Sequence, residues 1–262
     1  KSGKYQVQGF DLDEHTCRLA KNSGIKIYST LEELTKKSEM IVICTPIGAF
    51  ESVIKGIRDF LGHNTIITDA CSAKEVVFDI ARKNLYPEEL INFIPGHPIS
   101  GKETSGFEVS ESSLFLDKRV ILTPVFKEHF NTSMLAYNEV EHMWMNVGGI
   151  VEMMDMKEHD EMFALTSHLP HILTYATMET MHKNCEDIAE ALHHTGGGFK
   201  DFIRIAKSDP TMWSDIAVGN KEPLLKWMKF YKETLDEMIE MVEEEDRKGL
   251  YEIIERSKHN LL

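Results

Sequence analysis

Three segments of this sequence concentrate side chains that can move protons or hold anions. Gly96-His97-Pro98-Ile99-Ser100-Gly101-Lys102-Glu103 sets an imidazole between a glycine and a proline, just after a short apolar stretch. A histidine in such a stiff, irregular loop is a common setting for a general base. Ser167-His168-Leu169-Pro170-His171 carries two histidines three residues apart, a spacing that puts both on one helix face. The pair could ligate a metal, but no cysteine or acid stands at convincing ligand spacing, so no metal is expected. Gly196-Gly197-Gly198-Phe199-Lys200-Asp201-Phe202-Ile203-Arg204 packs cations, an acid and aromatics behind a flexible glycine run, with Trp213 following. The planar fork of an arginine suits two-point binding of a carboxylate.

These segments need a frame. Strand patterns fall at residues 5–10, 40–44, 65–69, 91–94, 119–123 and 147–152, and helical patterns lie between them at 13–23, 47–61, 73–83 and 132–145. That alternation predicts an α/β domain with a doubly wound, mostly parallel sheet. The unbroken apolar run Met40-Ile41-Val42-Ile43-Cys44 reads as a strand buried on both faces. From about residue 155 the strand pattern stops. A helical stretch runs over 155–184, opened by Asp155 and Glu158 as a capping pair and kinked at Pro170. The triple glycine breaks it, Ser208-Asp209-Pro210 starts another helix, and long helices cover 222–243 and 246–260. Two domains are expected, 1–154 and 155–262.

A formal net charge of −14 argues against nucleic acid as a partner, since phosphate binding needs clustered cations. An anionic small substrate would need a local cationic pocket. Cys17, Cys44, Cys71 and Cys185 form no CxxC pair, which fits free thiols in a reducing compartment. With no apolar run long enough to span a bilayer, no membrane is expected and cytoplasm is the expected location.

Val7-Gln8-Gly9-Phe10-Asp11 looks like the second strand of a dinucleotide-binding unit, with Asp11 at its tip beside the adenosine ribose. An acid there favours NAD over NADP, because it repels a 2′-phosphate. Thr45-Pro46 follows the buried strand and would lie at the sheet edge that a dinucleotide crosses. Either feature also fits a plain turn. The glycine-rich turn of such a unit does not precede residue 5, so the first strand and its phosphate-binding loop are expected to be missing from this sequence.

Taken in order, the His-Pro-x-x-Gly, Ser-His-Leu-Pro-His and Gly-Gly-Gly-Phe-x-Asp-Phe-x-Arg segments resemble those of prephenate dehydrogenases. Asp69-Ala70-Cys71-Ser72-Ala73-Lys74 and Arg119-Val120-Ile121-Leu122-Thr123-Pro124 extend the resemblance, which covers the chain from Tyr5 onward. It implies a Rossmann-type domain followed by an all-α helical dimerisation domain, a homodimer, and NAD as cofactor. The implied reaction is oxidative decarboxylation of prephenate to 4-hydroxyphenylpyruvate in tyrosine biosynthesis, with arogenate as the alternative substrate. By the same resemblance His97 is the catalytic histidine, Ser72 orients it, and Arg204 binds a substrate carboxylate. Ser167, His168, His171, Asp201 and Trp213 would line the pocket, His171 at the pyruvyl end, and Glu103 would belong to the network gating it. Two departures stand out: alanine and cysteine at 70–71 where a glycine is expected before Ser72, and Lys102 where a small polar residue is usual. Nothing after Leu262 reads as a regulatory domain, so any feedback by tyrosine would act within the pocket. A reading from another class, prompted by the missing glycine turn, is a catalytically silent dimerisation and ligand-binding module.

Overall fold

The computed structural model describes residues 4–101, 106–127 and 130–259. The first half alternates as expected: β1 (Gln8–Gly9), α1 (Glu14–Asn22), β2 (Lys26–Ile27), α2 (Leu31–Thr35), β3 (Met40–Ile43), α3 (Ile47–Ile57), β4 (Ile66–Asp69), α4 (Lys74–Asn84), α5 (Pro87–Leu90), β5 (Phe93–Ile94), β6 (Gly96–Pro98), β7 (Arg119–Leu122), β8 (Phe126–Lys127), β9 (Phe130–Asn131), α6 (Met134–Asn146) and β10 (Ile150–Met153). The second half is helical: α7 (Met156–Phe163), α8 (Leu169–Asn184), α9 (Ile188–His193), α10 (Gly197–Arg204), α11 (Pro210–Gly219), α12 (Lys221–Glu243) and α13 (Arg247–His259). This is a Rossmann-type α/β unit followed by an all-helical one.

β3, β4 and β5 pair in parallel, as do β1 with β2 and β7 with β10. The strand expected at 91–94 is shorter and is followed by one the sequence pattern did not show. Pro95 has no N–H to continue a ladder, yet its carbonyl accepts from Thr123 N at 2.9 Å. The chain then pairs again as β6, antiparallel to β7, with His97 opposite Ile121. His97 therefore sits in a strand and not in the irregular loop expected of it. Its neighbour Gly96 is tightly enclosed: a Cβ there would lie 3.0 Å from the Asp69 carbonyl oxygen and 3.2 Å from Leu122 Cδ2, so the strands around it would have to give.

The strand expected over 5–10 shrinks to two residues, and Asp11 lies beyond it, its carboxylate accepting from Asp13 N. Asp155 caps α7 by accepting from Lys157 N and Glu158 N, as its place ahead of the helix predicts. The break in the helix expected at Pro170 falls just before it, as a π-turn over Ala164–His168. Pro170 cannot donate to the carbonyl one turn back, and the wider turn accommodates the loss. The triple glycine is not a flexible break either. Gly196 is the N-cap of α10, and Gly197 and Gly198 form its first turn.

The main core joins Ile43, Phe50, Ile54, Ile67, Val77 and Phe93 to Trp213 and Ile216 of α11, so the helical half contributes to the α/β core. Among the described residues no helix is long and apolar enough to cross a membrane.

Candidate active site

The site is assembled where the exits of β4 and β5 meet the start of the helical half. Asp69 ends β4 and Lys74 opens α4, and both are fully buried. Lys74 Nζ pairs with Asp69 Oδ1 and donates to Gly96 O at 2.6 Å. Asp69 in turn accepts from Cys71 N (2.8 Å) and Gly96 N (3.2 Å). The two peptide groups flanking Gly96 are thus gripped from both sides by one ion pair, which fixes the backbone entering His97.

Two acids of the helical half complete the frame by capping α/β helices. Ala73 at the N-cap of α4 offers no side-chain cap. Asp160 of α7 supplies one, accepting from Lys74 N at 2.8 Å and Glu75 N at 2.9 Å. Pro46 likewise leaves α3 uncapped, and Asp215 of α11 accepts from Gly48 N at 2.8 Å. Each carboxylate meets orphan N–H groups and the positive end of the helix dipole.

His97, buried at 9% exposure, places Nδ1 at 2.9 Å from His159 Nε2. His159 Nδ1 lies 2.8 Å from Asp160 Oδ1. Phe163 packs edge-on against the His97 ring, with centroids 4.9 Å apart. His168 is also buried; its Nδ1 is 3.0 Å from Asn220 Nδ2, and its Nε2 has no partner among the described residues. His171 stacks on Trp213 with ring centroids 3.6 Å apart, and its Nδ1 donates to Ser167 O at 2.9 Å. His168 meets the same indole edge-on at 6.1 Å.

Sequence reasoning therefore found residues that do converge: His168, His171 and Trp213 form one cluster, to which Ser167 contributes its carbonyl. Other expectations fare differently. No hydrogen bond joins Ser72 to His97 among the described residues; the partner that orients His97 is His159. Arg204 and Asp201 are exposed on α10, which packs against α8. Glu103 and Lys102 lie outside the described residues. Asp11 is exposed and lines a shallow cleft of about 420 Å³ with Arg18, Tyr28 and Ser29. Thr45 and Pro46 occupy the β3 exit, where the Thr45 carbonyl meets Cys71 Sγ at 3.6 Å and the Thr45 hydroxyl is buried with no partner among the described residues. A groove of about 840 Å³ beside Phe78, Leu90 and Val125 contains none of these residues.

His159, Asp160 and Asn220 escaped the sequence reading, and Lys74 entered it only as part of a matching segment, with no role. A His-Asp pair one turn into the first helix of the second half was the available signal for two of them. Asn220 carries no such mark, since its role depends on meeting α7 across the fold.

Comparison with known proteins decides the family. Residues 1–153 match the prephenate dehydrogenase nucleotide-binding domain and residues 155–256 the prephenate dehydrogenase dimerization domain. The chain belongs to the prephenate dehydrogenase family. It is 31% identical to prephenate dehydrogenase from Aquifex aeolicus, whose crystal structure superposes with a TM-score of 0.87 over 99% of this chain and 91% of that one. A second crystal structure of the A. aeolicus enzyme, in complex with hydroxyphenyl propionate and NAD+, matches at a TM-score of 0.86, 31% identity and 99% and 89% coverage. Among curated proteins, cyclohexadienyl dehydrogenase of Zymomonas mobilis is 28% identical over 91% of this chain and 80% of its own length. The two matched domains of the family meet between β10 and α7, and the His97–His159 contact spans that junction.

The histidine cluster has a consequence for stability. Burial pushes His168 down to about 4 from an ordinary value of 6.5. Burial, then the charges of His159, Lys74 and His168, hold His97 well below that value. Burial also lowers His159, against the opposing pull of Asp160, and His171. The folded chain binds fewer protons than the unfolded chain between these depressed values and 6.5. The associated stability is complete above about pH 6.5 and is lost as pH falls, amounting to about 3 kcal/mol for His168 alone. The melting temperature is expected to drop steadily from about pH 7 to about pH 5. A flat profile across that window would contradict neutral, buried imidazoles.

Proposed function

We propose that this chain is an NAD-dependent dehydrogenase that oxidatively decarboxylates prephenate to 4-hydroxyphenylpyruvate. The observation that carries the reading is His97: a buried, neutral imidazole fixed through Nδ1, with Nε2 left for a substrate hydroxyl. A neutral imidazole is the form that can accept a proton.

The residues present suit the cofactor. Asp11 offers a carboxylate in an open cleft at a strand tip, as a ribose diol requires, and the Thr45 hydroxyl is a buried polar group at the sheet edge with no partner among the described residues. When bound, NAD supplies the hydride acceptor. His97 Nε2 takes the proton of the ring hydroxyl as hydride leaves the carbon that bears it. The ring carboxylate then departs as carbon dioxide, and the proton returns to the phenolic oxygen as the ring becomes aromatic. Ser72 would face the same hydroxyl. The His168, His171 and Trp213 cluster would line the pocket with Ser167, Asp201 and Glu103, and Arg204 would take a substrate carboxylate.

Replacing Arg204 with alanine is expected to raise the substrate KM roughly 10- to 150-fold, the worth of a charge-assisted hydrogen bond. A KM within twofold of the parent would remove Arg204 from the site. The helical unit also supports a homodimer: it matches the family's dimerization domain, and Phe230, Leu235 and Ile239 of α12 and Tyr251 and Ile254 of α13 are exposed apolar residues.

The test of the reading is formation of NADH, followed by its absorbance, with prephenate and with arogenate in parallel. Turnover with prephenate supports the proposal. Turnover with arogenate alone would move the substrate assignment, and turnover with neither would favour a silent binding module.

A further inference from the structure

We propose that Asp160 sets opposite proton positions on two histidines of the site, making His97 Nε2 a bare acceptor and His168 Nε2 a hydrogen-bond donor. Both assignments follow from hydrogen-bond polarity, traced outward from one residue.

The first branch runs through His159. Asp160 Oδ1 faces Lys74 N, and Oδ2 faces Glu75 N, so both oxygens are acceptors. His159 Nδ1, at 2.8 Å from Oδ1, must then carry the proton. The neutral ring has only one N–H, so His159 Nε2 is an acceptor. His97 Nδ1, at 2.9 Å from that nitrogen, must donate to it. The lone pair of His97 is left on Nε2.

The second branch runs through Asn220. The Asp160 carbonyl accepts from Asn220 Nδ2 at 2.7 Å, which fixes the amide orientation, because the flipped amide would set oxygen against oxygen. The second hydrogen on the same nitrogen points to His168 Nδ1 at 3.0 Å. His168 Nδ1 is therefore an acceptor, and its proton resides on Nε2. Among the described residues that buried nitrogen meets no acceptor, an arrangement that costs stability unless a partner is supplied.

The site thus presents one imidazole that takes a proton and one that gives a hydrogen bond. Resting on the dehydrogenase reading, the pair suits a substrate with a hydroxyl to deprotonate and a second oxygen, carboxylate or carbonyl, to be held. His159 and Asn220 are positioning residues, since each acts through another ring. The ionisable groups around His97 are His159 and Asp160 on α7, Lys74 on α4, Asp69 at the end of β4, and His168 on the π-turn; β7 presents Ile121 opposite it.

Neutron diffraction from a deuterated crystal of the protein without substrate reads the proton positions directly. Deuterium is expected on His97 Nδ1, His159 Nδ1 and His168 Nε2. Deuterium on His97 Nε2 or His168 Nδ1 overturns the proposal, whatever the enzyme turns over. A His159→Gln variant gives the kinetic arm. Its amide can sit near the lost Nε2 but has no link to Asp160 that fixes its polarity. We expect kcat to fall about 10-fold with KM little changed, and the acid side of the kcat pH profile to move downward, because protonated His97 loses the fixed acceptor on its Nδ1. A reduced rate with an unmoved acid side would mark His159 as merely structural and overturn its positioning role. Absence of turnover in the parent protein would instead sink the dehydrogenase reading and leave the proton positions to the diffraction result.

Discussion

His97→Asn is expected to lower kcat by roughly 10²–10⁴, the usual size of general-base catalysis, with a much smaller change in KM. Asparagine is chosen because its amide can occupy the place of Nδ1 and keep the contact with His159, now 2.9 Å long. What it removes is Nε2, the atom proposed to meet the substrate hydroxyl. The backbone should hold, since the Asp69–Lys74 grip acts on Gly96 and not on the imidazole. Parallel melting curves for variant and parent would confirm that the loss is chemical. A rate within threefold of the parent would take His97 out of the reaction.

Lys74→Met should destabilise the fold by about 3–5 kcal/mol, because it leaves a buried carboxylate without its charge partner. Methionine fills nearly the same volume, so a cavity contributes little. Lys74 and Asp69 are both fully buried, and Gly96 O would lose its donor as well. The shift in the urea midpoint at constant slope measures the effect. Adding Asp69→Asn to this variant should recover part of the loss, since no net charge then remains buried, although Cys71 N and Gly96 N still need an acceptor. A single-variant cost below about 1 kcal/mol would mean that water reaches the pair or that Asp69 finds another donor.

Much of this was legible in the sequence. The apolar run Met40 to Cys44 forms β3 at residues 40–43, although Val42 is exposed and the strand is buried on one face only, not on both as expected. Asp155 caps the helix it precedes, and Asp209-Pro210 opens α11. These are local matters: apolar patterning, cap chemistry and the fixed φ of proline act over a few residues, and a few residues show them. The spacing of His168 and His171 likewise put two imidazoles on one side of the chain, because about one helical turn decides it, while their meeting on the Trp213 indole came from the packing of α11.

The local argument stopped at contacts between distant segments. Pro95 ends one ladder, but only the meeting with Ile121 makes Gly96–Pro98 a strand. Three consecutive glycines suggest a break through their conformational freedom, yet packing of α10 against α8 holds two of them helical. Ser72 stood beside His97 in expectation, whereas the hydrogen bond of His97 is made to His159, 62 residues away. An α/β unit followed by a helical one, and the residue types available for proton transfer, were readable along the chain. Which nitrogen of each histidine is engaged by a neighbour emerges only from the folded contacts. A hydrogen bond's polarity is set by the partner across the fold, and pattern along the chain carries no record of that partner.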